Sequence, residues 1–461
     1  MKGREAPRSS AAPPAPMSNP ARPDARIDDP AGEQWLDRPA LAALQRRKLA
    51  AMLRAVRATN PFYRRKLERL PADCDSVESL PFTTRAEIET DQLDHPPFGS
   101  NLTYPLSHYS RYHQTSGTGG RPVRWLDTAD SWKWFQRCWQ VILGAAGVSV
   151  TAGDRVMFPF SFGPFVGFWG AFDGATARGL LAIPAGGMST PARLRMMIDS
   201  GATVVCCTPT YALRMAEVAA KEGIDLPRSP VRALIVAGEP GGNIPPTRAR
   251  IEQAWGARLY DHHGMTETGA VSFECTEMPG GLHVIESEFI AEVIDPEALQ
   301  PLPEGRAGEL VLTNLGRWGS PLIRYRTGDQ VRLSTGRCAC GRWYARLEGG
   351  ILGRIDEMFI VRGNNVFPTA VEAVVRRFPE VAEFRLTVLE GEALTQVRLE
   401  IEPDPATANG ADRALPLRVG QALLETLSFR AEVLAVPPGS LPRFEMKAKR
   451  FVRVPRSVGA P

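Results

Sequence analysis

The chain has 461 residues, of which 43% are hydrophobic and 23% charged, with a formal net charge of +4. These are the proportions of an ordinary globular protein long enough for two or three domains, and the small charge argues against nucleic acid as a main partner. No apolar run approaches the roughly 18 residues of a membrane span, and seven unevenly clustered cysteines do not form a secreted disulfide framework.

Residues 1–30 are rich in Pro, Ala and Arg and lack an apolar segment, so they read as a disordered arm rather than a secretory signal, with Met17 as an alternative start. The expected location is cytoplasmic. Residues 35–70 carry helical periodicity that breaks at Asn60-Pro61-Phe62-Tyr63. Thr84, with Glu87 three residues later, is a helix-capping pair.

Thr115-Ser116-Gly117-Thr118-Gly119-Gly120-Arg121 follows this helical layer. Hydroxyls, close-approach glycines and a permanent cation suit the wrapping of phosphate oxygens. The stretch is not the Walker pattern, and a surface turn before a strand is the competing reading. Residues 128–146 read as a helix whose Trp132, Trp134, Phe135 and Trp139 form a core stripe.

From residue 155, strand patterns at 155–158, 180–183, 202–207, 231–237 and 258–260 alternate with helical ones. Such alternation predicts a mostly parallel sheet covered by helices on both faces. Ligands bind beyond the carboxyl ends of such strands, where Gly238-Glu239-Pro240 and residues 261–269 are expected. Short strands take over from about 284, with residues 324–329 in a turn between two of them. Beyond 352 comes a compact α+β unit with helices at 369–378 and 415–428. The predicted division is an arm (1–30), a large α/β domain (31–352, strand-rich from about 284) and a small mobile C-terminal domain (353–461).

In order and type, these segments resemble the adenylate-forming enzymes, and within them the phenylacetate–CoA ligases. The resemblance runs from Asn60 to Arg453. It rests on the loop at 115–121, Gly238-Glu239-Pro240, Gly264-Met265-Thr266-Glu267, Tyr325-Arg326-Thr327-Gly328-Asp329, Gly353-Arg354-Ile355-Asp356 and Lys447 in Phe444-Glu445-Met446-Lys447-Ala448. It implies that a carboxylic acid, aryl or arylacetic, is joined to AMP from ATP and passed to the thiol of coenzyme A. Residues 115–121 would hold the β- and γ-phosphates, Thr266 the α-phosphate, and Glu267 a Mg²⁺ ion. Asp329 would hold the ribose, Gly238, Glu239 and Pro240 would border the adenine, and Arg354 would approach from the domain junction. Lys447 would bridge carboxylate and α-phosphate. His263 stands where the family usually has a tyrosine against the adenine.

The resemblance also makes residues 353–356 a hinge about which the small domain turns between half-reactions. Gly363-Asn364-Asn365-Val366 would meet the pantetheine arm, an ordinary hairpin turn being the alternative. The aromatic residues Phe160, Phe162, Phe165, Phe168 and Trp169 are expected to supply the acid pocket. Two other acceptors stay open: a carrier-protein phosphopantetheine and a deazaflavin hydroxyl. A second copy of the chain is a further candidate partner.

Cys275, His283, Cys338 and Cys340 offer three thiols and an imidazole, a familiar tetrahedral Zn²⁺ set with no position left for a reacting water. Some relatives carry such a site, which would be structural. Free buried thiols are the competing reading.

Overall fold

The computed structural model describes residues 32–71, 76–115, 121–361, 364–390, 395–404, 414–444 and 448–455. The expected arm, loop residues 116–120, Gly363 and Lys447 lie outside the described residues.

Helix α1 (Arg38–Thr59) ends at Asn60, whose side chain accepts from Tyr63 N and so caps α2 (Pro61–Lys66). The break read at Asn60-Pro61 is therefore one residue serving two helices. Helix α3 (Arg85–Asp94) carries the capping box expected from Thr84 and Glu87. Thr83 N donates to Arg324 O and Arg326 N to Thr83 O, which stitches the start of α3 to the main sheet.

β1 (Tyr109–Gln114) and β2 (Arg124–Thr128) pair antiparallel on either side of the glycine-rich loop. α4 (Ala129–Ala145) follows and buries its tryptophan stripe, as expected. The alternation then runs β3 (Arg155–Phe158), α5 (Val166–Ala177), β4 (Leu181–Pro184), α6 (Thr190–Asp199), β5 (Val204–Cys207) and α7 (Pro209–Lys221). It continues through β6 (Ala233–Val236), α8 (Pro245–Trp255) and β7 (Arg258–Met265). These strands pair in parallel in the order β4-β3-β5-β6-β7. One core, with Phe135, Trp139, Phe158 and Ile235, fills one face; another, with Met197, Tyr211, Met215 and Trp255, fills the other. Burial on both faces is why β5 and β6 are continuously apolar.

The strand-rich part comprises β8 (Gly269–Phe273), β9 (Gly281–Val284), β10 (Phe289–Ile294), β11 (Ala307–Asn314), β12 (Tyr325–Ser334), β13 (Arg346–Glu348) and β14 (Gly353–Arg354). It is not a separate sheet. β7 pairs in parallel with β6 and antiparallel with β8, so both parts form one mixed twelve-stranded sheet. Two local expectations change with it. Residues 261–265 belong to β7 rather than to a loop beyond it, and residues 325–329 belong to β12 rather than to a turn. Paired backbones satisfy their N–H and C=O groups, while alternate side chains leave on opposite faces and deliver polar residues to the site.

The C-terminal unit opens with a hairpin, β15 (Phe359–Val361) and β16 (Asn364–Val366). α9 (Pro368–Val375), β17 (Val381–Glu390), β18 (Gln396–Pro403), α10 (Leu415–Leu427), β19 (Glu432–Ala435) and β20 (Phe451–Pro455) follow. Its sheet order is β19-β18-β17-β20, and it has its own core around Val371, Phe384, Leu399, Val419 and Phe429. Among the described residues, no helix is long and apolar enough to cross a membrane.

Candidate active site and metal centre

Thr266, Glu267 and Thr268 form the tight turn between β7 and β8. Arg317, wholly buried, holds that turn in place. Its Nη1 donates to the carbonyls of Thr266 at 2.9 Å and Glu267 at 2.6 Å, while Nε and Nη2 clamp Asp127 at 2.7 and 2.8 Å. The guanidinium also lies against the rings of Trp125 and Phe135, 5.1 and 4.9 Å from their centres. Burial opposes the charge on Asp127, but Arg317 and His113 outweigh it and hold the carboxyl below the usual range. Arg317 was not singled out in the sequence, because Gly316-Arg317-Trp318-Gly319 has the composition of an exposed turn.

Glu267 is itself 8% exposed and accepts from Arg85 Nη1 at 2.9 Å. Nη2 of the same arginine donates to Thr115 Oγ1 at 3.3 Å and to the Arg121 carbonyl at 3.1 Å, and Nε to Glu89 at 2.8 Å. One guanidinium thus joins Glu267 to both described ends of the glycine-rich loop. The capping box of Thr84 and Glu87 places Arg85 at the first turn of α3, but nothing local in the sequence marks its distant partners.

Asp329 stands between two partners. Its Oδ2 lies 3.1 Å from His263 Nε2, and its Oδ1 accepts from Arg354 Nη1 at 3.0 Å. Arg354 also donates to the Thr327 carbonyl at 2.7 Å and to Asp356 at 3.1 Å. Burial works against the Asp329 charge, yet His263 and Arg354 prevail and its pKa is lowered. On the other face of β7, the ring of His262 meets Trp139 edge-on with centroids 4.6 Å apart. Burial, with His263 beside it, brings the pKa of His262 down to about 4, so the ring is neutral. Burial and then Glu274 push Asp261 up to about 8 against the pull of Arg248.

Gly238, with φ of 95°, Glu239 and Pro240 follow β6. The Glu239 carboxylate is engaged at both oxygens by Thr210 N at 2.8 Å and Ala448 N at 2.6 Å. Asn364 is exposed and pairs with Val361 across the β15–β16 hairpin. The residues read from the sequence fall into separate contact groups: Thr115, Arg121, Thr266 and Glu267 around Arg85 and Arg317; His263 and Arg354 around Asp329; and Glu239 with Thr210 and Ala448. Asn364 does not enter them, and residues 116–120, Gly363 and Lys447 lie outside the described residues.

The aromatic segment forms a continuous wall. Phe160 stacks on Phe168 with centroids 4.1 Å apart, Phe162 meets Trp169 at 4.8 Å, and Phe165 joins Phe168 at 6.2 Å. Phe158 and Phe172 extend it.

The four sulfur and nitrogen donors come together away from this site. The ligand atoms of Cys275, His283, Cys338 and Cys340 all lie within 4.8 Å of one another. Cys275 Sγ is 3.8 Å from Cys338 Sγ, and Cys340 Sγ is 3.6 Å from His283 Nε2. A tetrahedron with Zn–S bonds of about 2.3 Å has S···S edges of about 3.8 Å, so the donor set fits Zn²⁺ in size as well as in chemistry. His283 is fully buried and its Nδ1 lies 3.0 Å from the Tyr344 carbonyl. That contact favours the proton on Nδ1 and leaves Nε2 with its lone pair toward the thiols. The cluster joins the segments 275–283 and 338–340, which the pairing of β9 with β13 also sets together, and beside it Arg342 bonds Gln34 at 2.6 and 2.8 Å.

Residues 112–316 match the AMP-binding enzyme family, and residues 363–453 match the AMP-binding enzyme C-terminal domain. Phenylacetate-coenzyme A ligase of Thermus thermophilus is 32% identical over 436 residues, covering 89% of this chain and 96% of that protein. Among solved structures, 2-hydroxyisobutyryl-CoA ligase in its postadenylation state with 2-HIB-AMP superposes with a TM-score of 0.86 at 28% identity, over 92% of each chain. The same enzyme in its thioesterification state with 2-HIB-AMP and CoA gives 0.68, at the same identity and coverage. The large mixed sheet, the small α+β unit and the ordered set of site residues therefore have one explanation: the chain belongs to the phenylacetate–CoA ligase family of adenylate-forming enzymes.

Proposed function

We propose that this chain joins an aryl or arylacetic acid to AMP and then transfers the acyl group to the thiol of coenzyme A. The observation that carries this reading is the contact chain around Arg85. It sets Glu267 against both ends of the glycine-rich loop, beside a sheet that also presents Asp329. The aromatic wall from Phe158 to Phe172 supports an aromatic acid as the substrate.

In the first half-reaction a carboxylate oxygen attacks the α-phosphorus of ATP and pyrophosphate leaves. Negative charge crowds among the phosphate oxygens, so catalysis consists of positioning and of fixed donors and cations. Residues 115–121 hold the β- and γ-phosphates, and the Thr266 hydroxyl bonds the α-phosphate. The Glu267 carboxylate, a hard oxygen donor held by the Arg317-braced turn, suits Mg²⁺. When bound, that ion neutralises charge on the departing pyrophosphate. Asp329 accepts the ribose hydroxyls, while the backbone of Gly238, Glu239 and Pro240, with His263, borders the adenine, and Arg354 approaches from the domain junction. Lys447 bridges carboxylate and α-phosphate. In the second half-reaction the sulfur of coenzyme A attacks the acyl carbon and AMP leaves, with Gly363 and Asn364 presented to the pantetheine. Cys275, His283, Cys338 and Cys340 would hold a Zn²⁺ whose role is structural, since four protein donors would leave no position for a reacting water.

The test is pyrophosphate release across a panel of aryl, arylacetic and fatty acids, with coenzyme A or a phosphopantetheinylated carrier protein as acceptor. Release with aryl or arylacetic acids and AMP formation dependent on coenzyme A are expected. Turnover with the carrier protein alone would move the proposal to that acceptor, and preference for aliphatic acids would contradict the aromatic pocket. Native mass of the same preparation decides whether the enzyme works as a homodimer.

A further inference from the structure

Glu239 lies in the large domain, but its carboxylate reaches the small one. Oε1 accepts from the backbone N–H of Thr210, in the first turn of α7, at 2.8 Å. Oε2 accepts from the backbone N–H of Ala448 at 2.6 Å. Ala448 is the residue after Lys447. A second bond crosses the same boundary from the other side: Arg450 Nη1 donates to Thr210 Oγ1 at 3.1 Å. Arg450 is held by its own domain, with Nε and Nη2 on the Glu383 carboxylate at 2.6 and 3.0 Å. Thr210, 7% exposed, therefore uses both backbone and side chain at this one point.

The geometry points to Glu239 as a latch: a positioning residue that holds the small domain in the adenylating arrangement by accepting the Ala448 amide. The inference rests on the two-step reading above. It agrees with the superposition, in which this chain matches a postadenylation state much better than a thioesterification state of one enzyme at equal identity and coverage. Rotation of the small domain requires Ala448 and Arg450 to leave Glu239 and Thr210, so the strength of this latch sets how the enzyme divides its time between the two half-reactions. A carboxylate is suited to the place because it accepts two N–H groups at once. An amide of the same shape accepts one and turns an N–H toward the other.

Glu239→Gln separates this role from the alternatives. Hydrogen exchange at the Ala448 and Thr210 amides is read first, and it needs no substrate. We expect exchange at Ala448 to speed up by about tenfold or more, the loss typical of a charge-assisted hydrogen bond. Carboxylate-dependent pyrophosphate exchange should fall by a similar factor with the KM for ATP unchanged, while thioester formation from supplied acyl-adenylate is kept or quickened. Thr210→Val, which keeps the backbone N–H but removes the Arg450 acceptor, should shift the two half-reactions in the same direction, and Glu239→Asp should restore part of the first. Unaltered amide exchange would overturn the latch, as would an equal loss of both half-reactions or a rise in the KM for ATP alone, which marks an adenine contact. If the parent enzyme released no pyrophosphate with any acid, the reading of the reaction would fail, and amide exchange would still decide the latch.

Discussion

Arg354 Nη1 and Asp329 Oδ1 stand 3.0 Å apart, on paired positions of β12 and β14. The carboxylate proposed for the ribose is thus bound to the residue proposed to stand at the domain junction, so a turn of the small domain about residues 353–356 would be felt at the nucleotide. Asp329→Asn removes a charge-assisted acceptor worth about 1.5–3 kcal/mol. The kcat/KM for ATP in pyrophosphate exchange should fall roughly ten- to hundredfold by the same measure, and the melting temperature should fall with it, because His263 and Arg354 lose the charge that faces them. An unchanged ATP dependence would remove Asp329 from the nucleotide site.

Arg317 braces the Thr266–Thr268 turn. Arg317→Met leaves the Asp127 carboxylate buried without its cation, a loss of about 3–5 kcal/mol for a broken buried pair. Thermal unfolding should show that loss. In the folded fraction the Mg²⁺ concentration for half-maximal activity should rise, because Glu267 is no longer fixed through its carbonyl. A stability loss without any change in Mg²⁺ dependence would confine Arg317 to the core.

Asp261, whose pKa is raised to about 8, faces Glu274, Arg248 and Asn243. It holds its proton more tightly when folded than when unfolded. Its contribution to stability is therefore full below the unfolded value of about 3.9 and is lost as pH rises through about 8. Asp261→Asn, which mimics the neutral acid, should melt close to the parent below about pH 4 and progressively above it as pH rises toward about 8. A gap in melting temperature that does not vary with pH would contradict a protonated Asp261.

Cys340→Ser should lower zinc content from about one ion per chain, the stoichiometry of a single tetrahedral site, and lower the melting temperature with it. The remaining folded enzyme should keep its ATP affinity, since no zinc ligand is among the residues contacting Arg85 or Asp329. A zinc-free parent of equal stability would leave the four donors as packing residues.

Much of the site was legible because its chemistry sits in residue types that ordinary packing seldom groups. The three cysteines and one histidine that converge within 4.8 Å could be chosen from the sequence without knowing the sheet that assembles them. The helix–strand alternation was likewise legible, since strands buried on both faces are continuously apolar. His263 and Asp329 read as loop residues because polar side chains break the apolar pattern; in the fold, β7 and β12 continue through them. Arg317 and Arg85 were invisible for a different reason. An arginine's partners lie far along the chain, Asp127 being 190 residues from Arg317 and Glu267 182 from Arg85, and nothing local distinguishes such a side chain from a solvated one.

The most direct test of the account is the partition of the two half-reactions in Lys447→Ala. The cation is assigned to charge that develops only as carboxylate meets phosphate, so carboxylate-dependent pyrophosphate exchange should fall by about a hundredfold or more. Thioester formation from supplied acyl-adenylate and coenzyme A should persist at close to the parent rate. Equal loss of both half-reactions in a folded protein, or full pyrophosphate exchange without the lysine, would contradict it.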